Sequence, residues 1–208
     1  MKRCVIIGGA PINDYNRIKE YLSENDCFIY CDSGLKHESP LGFAPELIVG
    51  DFDSHDCPKT DCEIIKLPRE KDDTDTFFAA KEALKRGFDD FLLVGVIGGR
   101  LDHSLCNVSI LLYLESFGKS AKIIDDYSEM EIVSDNTAYI EDSFPYFSLI
   151  AIDGTAKKVS IKNAKFPLEN AEITPEYQYG VSNEVTKGKT ASVSVGDGKL
   201  LLIKIAKE

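Results

Sequence analysis

The chain lacks tryptophan, lacks any excess of basic residues and lacks any long apolar run. Lysine and arginine total 24 against 35 aspartates and glutamates, a formal net charge of −11. That balance leaves no surplus cation to neutralise nucleic-acid phosphates, which excludes a nucleic-acid-binding surface. No segment approaches the ~20 apolar residues of a membrane span. The run Cys4-Val5-Ile6-Ile7 is too short for a signal-peptide core and passes straight into Gly8-Gly9, so the expected location is the cytoplasm. With no export signal, the six cysteines are expected as reduced thiols. Cys57, Cys62 and His55 have no matching second pair, and zinc is set aside. No fixed-period repeat and no low-complexity linker interrupts the chain.

Several named ligand motifs are missing as well. Gly118-Lys119-Ser120 and Gly188-Lys189-Thr190 end like a P-loop, but Tyr113 and Asn183 stand where its first glycine belongs. Gly8-Gly9-Ala10-Pro11 lacks the spacing of a dinucleotide fingerprint. The segment from Asp51 is no EF-hand, since Asp56 and Cys62 replace its glycine and its bidentate glutamate.

What is present is an alternation of apolar runs and helical periods over the first 126 residues. Strands are expected at 3–8, 28–31, 46–49, 63–67, 91–97 and 121–125. Between them, a helix capped by Asn13 is expected over 14–23, and another over 75–86 with Phe77, Ala80 and Leu84 on its inner face and Gly87 at its end. A longer helix follows Gly98-Gly99, with Leu105, Val108, Leu111 and Leu112 expected inward. This reads as α/β: an N-terminal, doubly wound, mostly parallel sheet. From Glu129 onward the helical period disappears. Short alternating stretches at 131–133, 138–140, 147–152, 158–161, 191–195 and 200–205, separated by turns such as Asp153-Gly154, predict a C-terminal antiparallel β-sandwich. The expected domains are 1–126 and 127–208.

Polar motifs directly follow four of the first strands, where an open α/β sheet binds its ligands. They are Asp32-Ser33-Gly34, Asp51-Phe52-Asp53-Ser54, Asp72 to Asp75, and Gly99 to His103. Seven aspartates lie between positions 51 and 75. Such a concentration repels itself unless a cation sits among the carboxylates, and Mg²⁺ is the usual partner of clustered oxygen ligands. An acidic chain can thus still take ATP. Arg100, after two glycines and beside a helix N-terminus, is read as a phosphate contact in preference to a surface cation. Other residues stay open between two readings: Lys71 as an exposed charge or a γ-phosphate partner, Thr74 as an N-cap or a phosphate hydroxyl. His103 is either a first-turn residue or a ligand contact, and Asp102 either a cap or part of the site.

Taken jointly, these motifs, with Gly42 to Ser54 in full, Lys71-Asp72-Asp73-Thr74-Asp75, Gly98 to His103, and Gly180-Val181-Ser182-Asn183-Glu184, resemble those of the thiamine pyrophosphokinase family. The resemblance implies transfer of the terminal pyrophosphate of ATP to the hydroxyl of thiamine, giving thiamine diphosphate and AMP, by a homodimer. It implies Asp51, Asp53 and Asp75 as Mg²⁺ ligands and, with Asp102, as the catalytic carboxylates. It implies Lys71, Asp73, Thr74, Arg100 and His103 around ATP, and Asp32, Ser33, Ser182 and Asn183 around thiamine, with the Ser182-Asn183 loop supplied across the dimer. Two departures stand out: Ser33 where family members often have glycine, and no tryptophan to stack on thiamine, a place for which Tyr177 and Tyr179 are the candidates. A pyrophosphokinase for another alcohol such as a pterin, an ATP-binding sensor without turnover, and a metal-dependent phosphohydrolase are the rival readings.

Overall fold

The apolar run near the N-terminus forms β1 (Cys4–Ile7), buried at every position. In the computed structural model, which describes residues 3–52, 61–70, 72–177 and 179–207, the chain divides into two compact units, 1–126 and 127–208. In the first, β1 is followed by α1 (Tyr15–Lys19), β2 (Cys27–Cys31), a 3₁₀ turn (Asp32–His37), α2 (Glu38–Leu41), β3 (Leu47–Gly50), β4 (Glu63–Lys66), α3 (Asp75–Lys85), β5 (Asp90–Val94), α4 (Leu101–Ser116) and β6 (Ser120–Ile124). Every pairing among these strands is parallel, in the order β6-β5-β1-β2-β3-β4. The chain therefore starts at the middle of the sheet, winds outward to β4, and returns through α3 to the other side of β1. The topological switch point lies between β1 and β5, where ligands of such sheets bind.

Alternating strand residues face opposite layers. Val5, Ile7, Phe28, Tyr30, Leu92 and Val94 form one core with Ile18 of α1 and Leu41 of α2. On the opposite side, α3 packs against β1, β2 and β3, and α4 against β6. Cys4, Cys27 and Cys31 are buried strand residues, and burial pushes the Cys4 thiol well up from its ordinary value. No disulfide joins the cysteines of the described residues.

Three helix details differ from the sequence reading. Asp14, not Asn13, caps α1, accepting from the Arg17 backbone N–H (3.1 Å); Asn13 is held by Asp126 instead, through both its backbone and its side-chain amide. The buried face of α3 is Thr76, Ala79, Ala80 and Ala83, with Phe77 and Leu84 half-buried. α4 buries Asn107, Ile110, Leu111 and Leu114, while Leu105 is 61% exposed. The strand expected over 91–97 stops at Val94 because Gly95 turns the chain with φ +62°.

The second unit contains β7 (Ser128–Val133), β8 (Thr137–Glu141), β9 (Tyr146–Ala151), β10 (Ala156–Lys162), β11 (Leu168–Ile173), β12 (Gly180–Asn183), β13 (Thr190–Ser194) and β14 (Leu200–Ile205). They pair antiparallel in two groups, β12-β9-β14-β7 and β11-β10-β13-β8. Inward residues of both groups, among them Phe147, Leu149 and Leu202 on one side and Ile140, Val159 and Val193 on the other, share one apolar core, the mark of a sandwich. No helix among the described residues is long and apolar enough to cross a membrane.

Candidate active site

Five chain segments converge at the carboxyl ends of the parallel strands and line a crevice of about 640 Å³. The loop after β1 contributes Gly9, Ala10 and Pro11; the turn after β2, Asp32 and Ser33; the end of β3, Asp51. Thr74, Asp75 and Thr76 come from the start of α3, and Gly95, Val96, Gly98, Gly99, Arg100, His103 and Asn107 from the loop after β5 and the first turns of α4. Asp32, Asp51, Thr74, Asp75, Arg100 and His103, dispersed over some seventy positions of sequence, are thus gathered by the sheet at one edge.

Local geometry explains the convergence. The loop after β1 lies directly against the loop after β5: the Gly8 N–H donates to Val94 O (2.8 Å) and the Ala10 N–H to Gly95 O (2.7 Å). A Cβ at Gly8 would stand 2.6 Å from Gly95 O, and one at Gly95 2.7 Å from Gly8 O, so a side chain at either position would force the two loops apart. Beyond β3 Phe52 has a φ of +53°, a rare conformation for a bulky residue, and it occurs here beside a half-buried carboxylate. Thr74 caps α3, its hydroxyl accepting from the Phe77 N–H (3.2 Å), and this fixes Asp75 in the first helical turn.

Asp51 and Asp75 offer hard oxygen donors from two sides of the crevice, the ligand chemistry that suits Mg²⁺. Among the described residues no group of three or more potential metal ligands is assembled. Asp53 and Lys71, expected at the metal and at ATP, lie outside the described residues.

Arg100 and Asp102 pair with each other, Nε to Oδ1 at 3.1 Å and Nη2 to Oδ2 at 2.5 Å, with both side chains exposed. That guanidinium, helped by the His103 backbone N–H, holds the Asp102 carboxyl down at about 2. The residue in the cap position of α4 is Arg100, without a side-chain cap, so Asp102 is not the cap. Asp73 accepts from Lys81 Nζ at 2.6 Å and does not line the crevice.

Ser182 and Asn183 belong to the second unit, where they form the end of strand β12 rather than a loop. The Asn183 amide is buried and spent on neighbouring backbone: Oδ1 accepts from the Phe166 and Glu184 N–H groups, and Nδ2 donates to Phe166 O. It thereby fixes the wall of a second cavity of about 330 Å³ bounded by Lys165, Phe166, Leu168, Tyr179 and Val181. Tyr177 and Tyr179 are exposed and stacked on one another, centroids 6.0 Å apart.

Sequence reasoning missed Gly9, Ala10, Pro11 and Asn107. A signal for the first three existed: they follow the strand that the order of elements makes central. Asn107 gave none, since it sits on a helix among apolar residues and its role is tertiary, its buried Nδ2 donating to Val96 O at 2.8 Å.

Both units have counterparts among known proteins. Residues 18–124 match the family model described as thiamin pyrophosphokinase, catalytic domain, and residues 131–200 the one described as thiamin pyrophosphokinase, vitamin B1 binding domain. A thiamine pyrophosphokinase of Bacillus subtilis is 27% identical over 98% of this chain and 99% of its own. The crystal structure of a thiamin pyrophosphokinase from Geobacillus thermodenitrificans superposes with a TM-score of 0.84 at 27% identity, covering 99% of this chain and 98% of that one. One of the Bacillus subtilis thiamine pyrophosphokinase has a TM-score of 0.86 at 24% identity over the whole of both chains, a likeness of fold. With both of its units matched in order and the acidic crevice in the first, the chain belongs to the thiamin pyrophosphokinase family.

Proposed function

We propose that the crevice of the first unit is where this enzyme transfers the terminal pyrophosphate of ATP to the hydroxyl of thiamine. The observation that carries this reading is the meeting of Asp51, Asp75, Thr74 and Arg100 in one crevice at the switch point. Asp51 and Asp75, with Asp53, would hold Mg²⁺, whose chemistry there is to neutralise and order the triphosphate. Arg100, still oriented by Asp102, reaches charge on the transferring phosphates, and the Thr74 hydroxyl lies at the N-terminus of α3, where anions are favoured. Lys71 and His103 complete the surroundings of ATP in this reading, while Asp73, paired with Lys81, stays outside the crevice. The thiamine oxygen forms a bond to the β-phosphorus as the bridging bond to the α-phosphate breaks. AMP leaves with the bridging oxygen, and the hydroxyl proton is released in the end to solvent. Most of the acceleration is positioning and electrostatics.

In the same reading the unit 127–208 supplies the acceptor pocket and the dimer contact, its Ser182 reaching the crevice of a partner copy together with Asp32 and Ser33 of that crevice. Asn183, with its amide engaged, acts there by shaping the pocket. The acidic walls attract the permanent positive charge of the thiazolium ring. Cytoplasmic location belongs to this proposal. Purified protein with ATP and Mg²⁺, incubated with and without thiamine, should release AMP and thiamine diphosphate only when thiamine is present. AMP in equal amounts in both tubes, or in neither, would overturn the assignment.

A further inference from the structure

The loop Gly8–Pro11 forms one wall of the crevice, yet none of its residues carries a polar side chain. It acts on a ligand only through its shape and its backbone, so its exact placement is its contribution. That placement is set from two sides. On the β5 side lie the hydrogen bonds of Gly8 and Ala10 described above. On the β2 side, Lys36 Nζ donates to Gly9 O (2.5 Å) and His37 Nε2 donates to Ala10 O (2.9 Å). Lys36 is exposed, and a flexible ammonium in water holds little. His37 is only 1% exposed, with its ring fixed at both nitrogens.

The tautomer follows from the partners. A carbonyl only accepts, so Nε2 carries the hydrogen toward Ala10. In the neutral ring Nδ1 then accepts, and the Tyr15 hydroxyl, 2.7 Å away, is its donor. The chain of bonds Tyr15 → His37 → Ala10 joins α1, the 3₁₀ turn after β2 and the loop after β1. The same 3₁₀ turn begins with Asp32 and Ser33, which line the crevice. We propose that His37, oriented by Tyr15, is a positioning residue for the nucleotide: it sets the Gly8–Pro11 wall against which ATP is held. This rests on the assignment of the crevice to ATP given above.

The test compares the parent with His37→Leu, which removes both ring nitrogens, His37→Gln, whose amide restores a donor toward Ala10 O, and Tyr15→Phe, which leaves the ring without its orienting donor. For each, kcat, the KM values for ATP and thiamine, and the dissociation constant of Mg²⁺–ATP are measured, with a urea transition to establish folding. One lost hydrogen bond corresponds to roughly a three- to tenfold change in binding. His37→Leu is expected to raise KM and the dissociation constant for ATP about tenfold, with KM for thiamine within about twofold of the parent; Tyr15→Phe should move them about threefold, and His37→Gln should recover most of the loss. ATP constants within about twofold of the parent in folded His37→Leu, or a Gln variant no better than Leu, would overturn the proposal. If the Leu variant does not fold, parent-like ATP constants in Tyr15→Phe overturn it equally. An active parent with unaffected variants sinks this proposal alone. A parent that binds ATP and responds to the variants but makes no thiamine diphosphate sinks the assigned reaction and leaves the positioning role standing; a parent that binds no ATP sinks both.

Discussion

Arg100 and Asp102 grip each other at the mouth of the crevice through a two-pronged ion pair made within one helical turn. Both were read from sequence as site residues, yet as paired they neutralise one another. Arg100 must be shared between Asp102 and the ligand to meet a phosphate. The pair is exposed, so opening it costs little beyond the reorientation of two mobile side chains.

This bears on which carboxylate takes the hydroxyl proton. A carboxyl held at about 2 is ionised throughout the neutral range and is a weak base there. Asp102 is therefore expected to act by orienting Arg100. Asp102→Asn should lower kcat/KM about tenfold and leave the shape of the pH–rate profile between pH 6 and 9 unchanged, while Arg100→Ala should cost roughly 10²- to 10³-fold by removing a donor to developing charge. Steady-state kinetics across pH checks both. A loss in Asp102→Asn exceeding that in Arg100→Ala, with a new pH limb, would make Asp102 the base.

Asp51 and Asp75 give the complementary prediction, because their carboxylates serve function at some expense of mutual repulsion. Asp51→Asn and Asp75→Asn should each lower turnover by orders of magnitude and leave the urea midpoint unchanged or raised. Mg²⁺–ATP at about 100 times its dissociation constant should stabilise the parent by roughly 2.7 kcal/mol, and that increment should shrink in both variants. Thermal melts with and without Mg²⁺–ATP measure it. Variants stabilised as strongly as the parent would place the metal elsewhere.

The parts of this fold legible in the sequence were those whose signal is local. β1, β2 and β5 are continuous apolar runs, and the polar motifs gathered in the crevice lie in the connections that leave the strands or in the first turns of the helices that follow. The misreadings share one cause, which is that the deciding contact is distant in sequence. On α4 apolar residues occur around the whole helix, and periodicity alone does not say that Asn107 faces in and Leu105 out; the choice is made by the sheet and by the Val96 carbonyl that Asn107 meets. Asn13 has the chemistry of a cap, but Asp126, 113 residues away, claims it. β11 and β12 gave no strand pattern because each is an edge of its group, paired on one side and with polar residues tolerated on the other. The Gly8–Pro11 loop could be placed at the central strand from the order of elements, but not its packing: its glycines serve close approach to the loop after β5 rather than a ligand motif.

His37 supplies a prediction about pH. Burial, above all, and the nearby Lys36 charge lower its pKa below the ordinary 6.5, although the Ala10 carbonyl works in the opposite direction. The ring is thus harder to protonate in the folded chain than in the unfolded one. Below pH 6.5 the unfolded state binds more protons, so the contribution of this group to stability is full above that pH and is lost as pH falls through 6.5 toward the folded-state value. Urea unfolding between pH 5 and 8 should show the parent losing stability on acidification relative to His37→Gln, with a slope of at most about 1.4 kcal/mol per pH unit from this one group. Parallel stability curves for the two proteins would mean that His37 titrates alike in both states.

The departure at Ser33 offers the sharpest structural test, because its consequence is reciprocal. A Cβ built on Gly9 would fall 1.8 Å from Ser33 Oγ and 2.7 Å from Ser33 Cβ, so the β1 loop tolerates the serine only while position 9 remains glycine. Gly9→Ala alone should force the loop and the 3₁₀ turn apart, costing about 1–3 kcal/mol and most of the activity. Ser33→Gly alone should cost little in packing, since Ser33 is exposed. In the double variant the nearest Ser33 atom left to meet the new methyl is the backbone carbonyl carbon at 3.2 Å, a tight contact that a shift of a few tenths of an ångström relieves. The two changes should therefore be strongly non-additive, with the double variant more stable than Gly9→Ala by roughly 1 kcal/mol or more. Urea midpoints of all four proteins close the cycle. If the energies simply add, the two loops do not touch in solution as they do here, and the crevice wall between Gly9 and Ser33 has another shape.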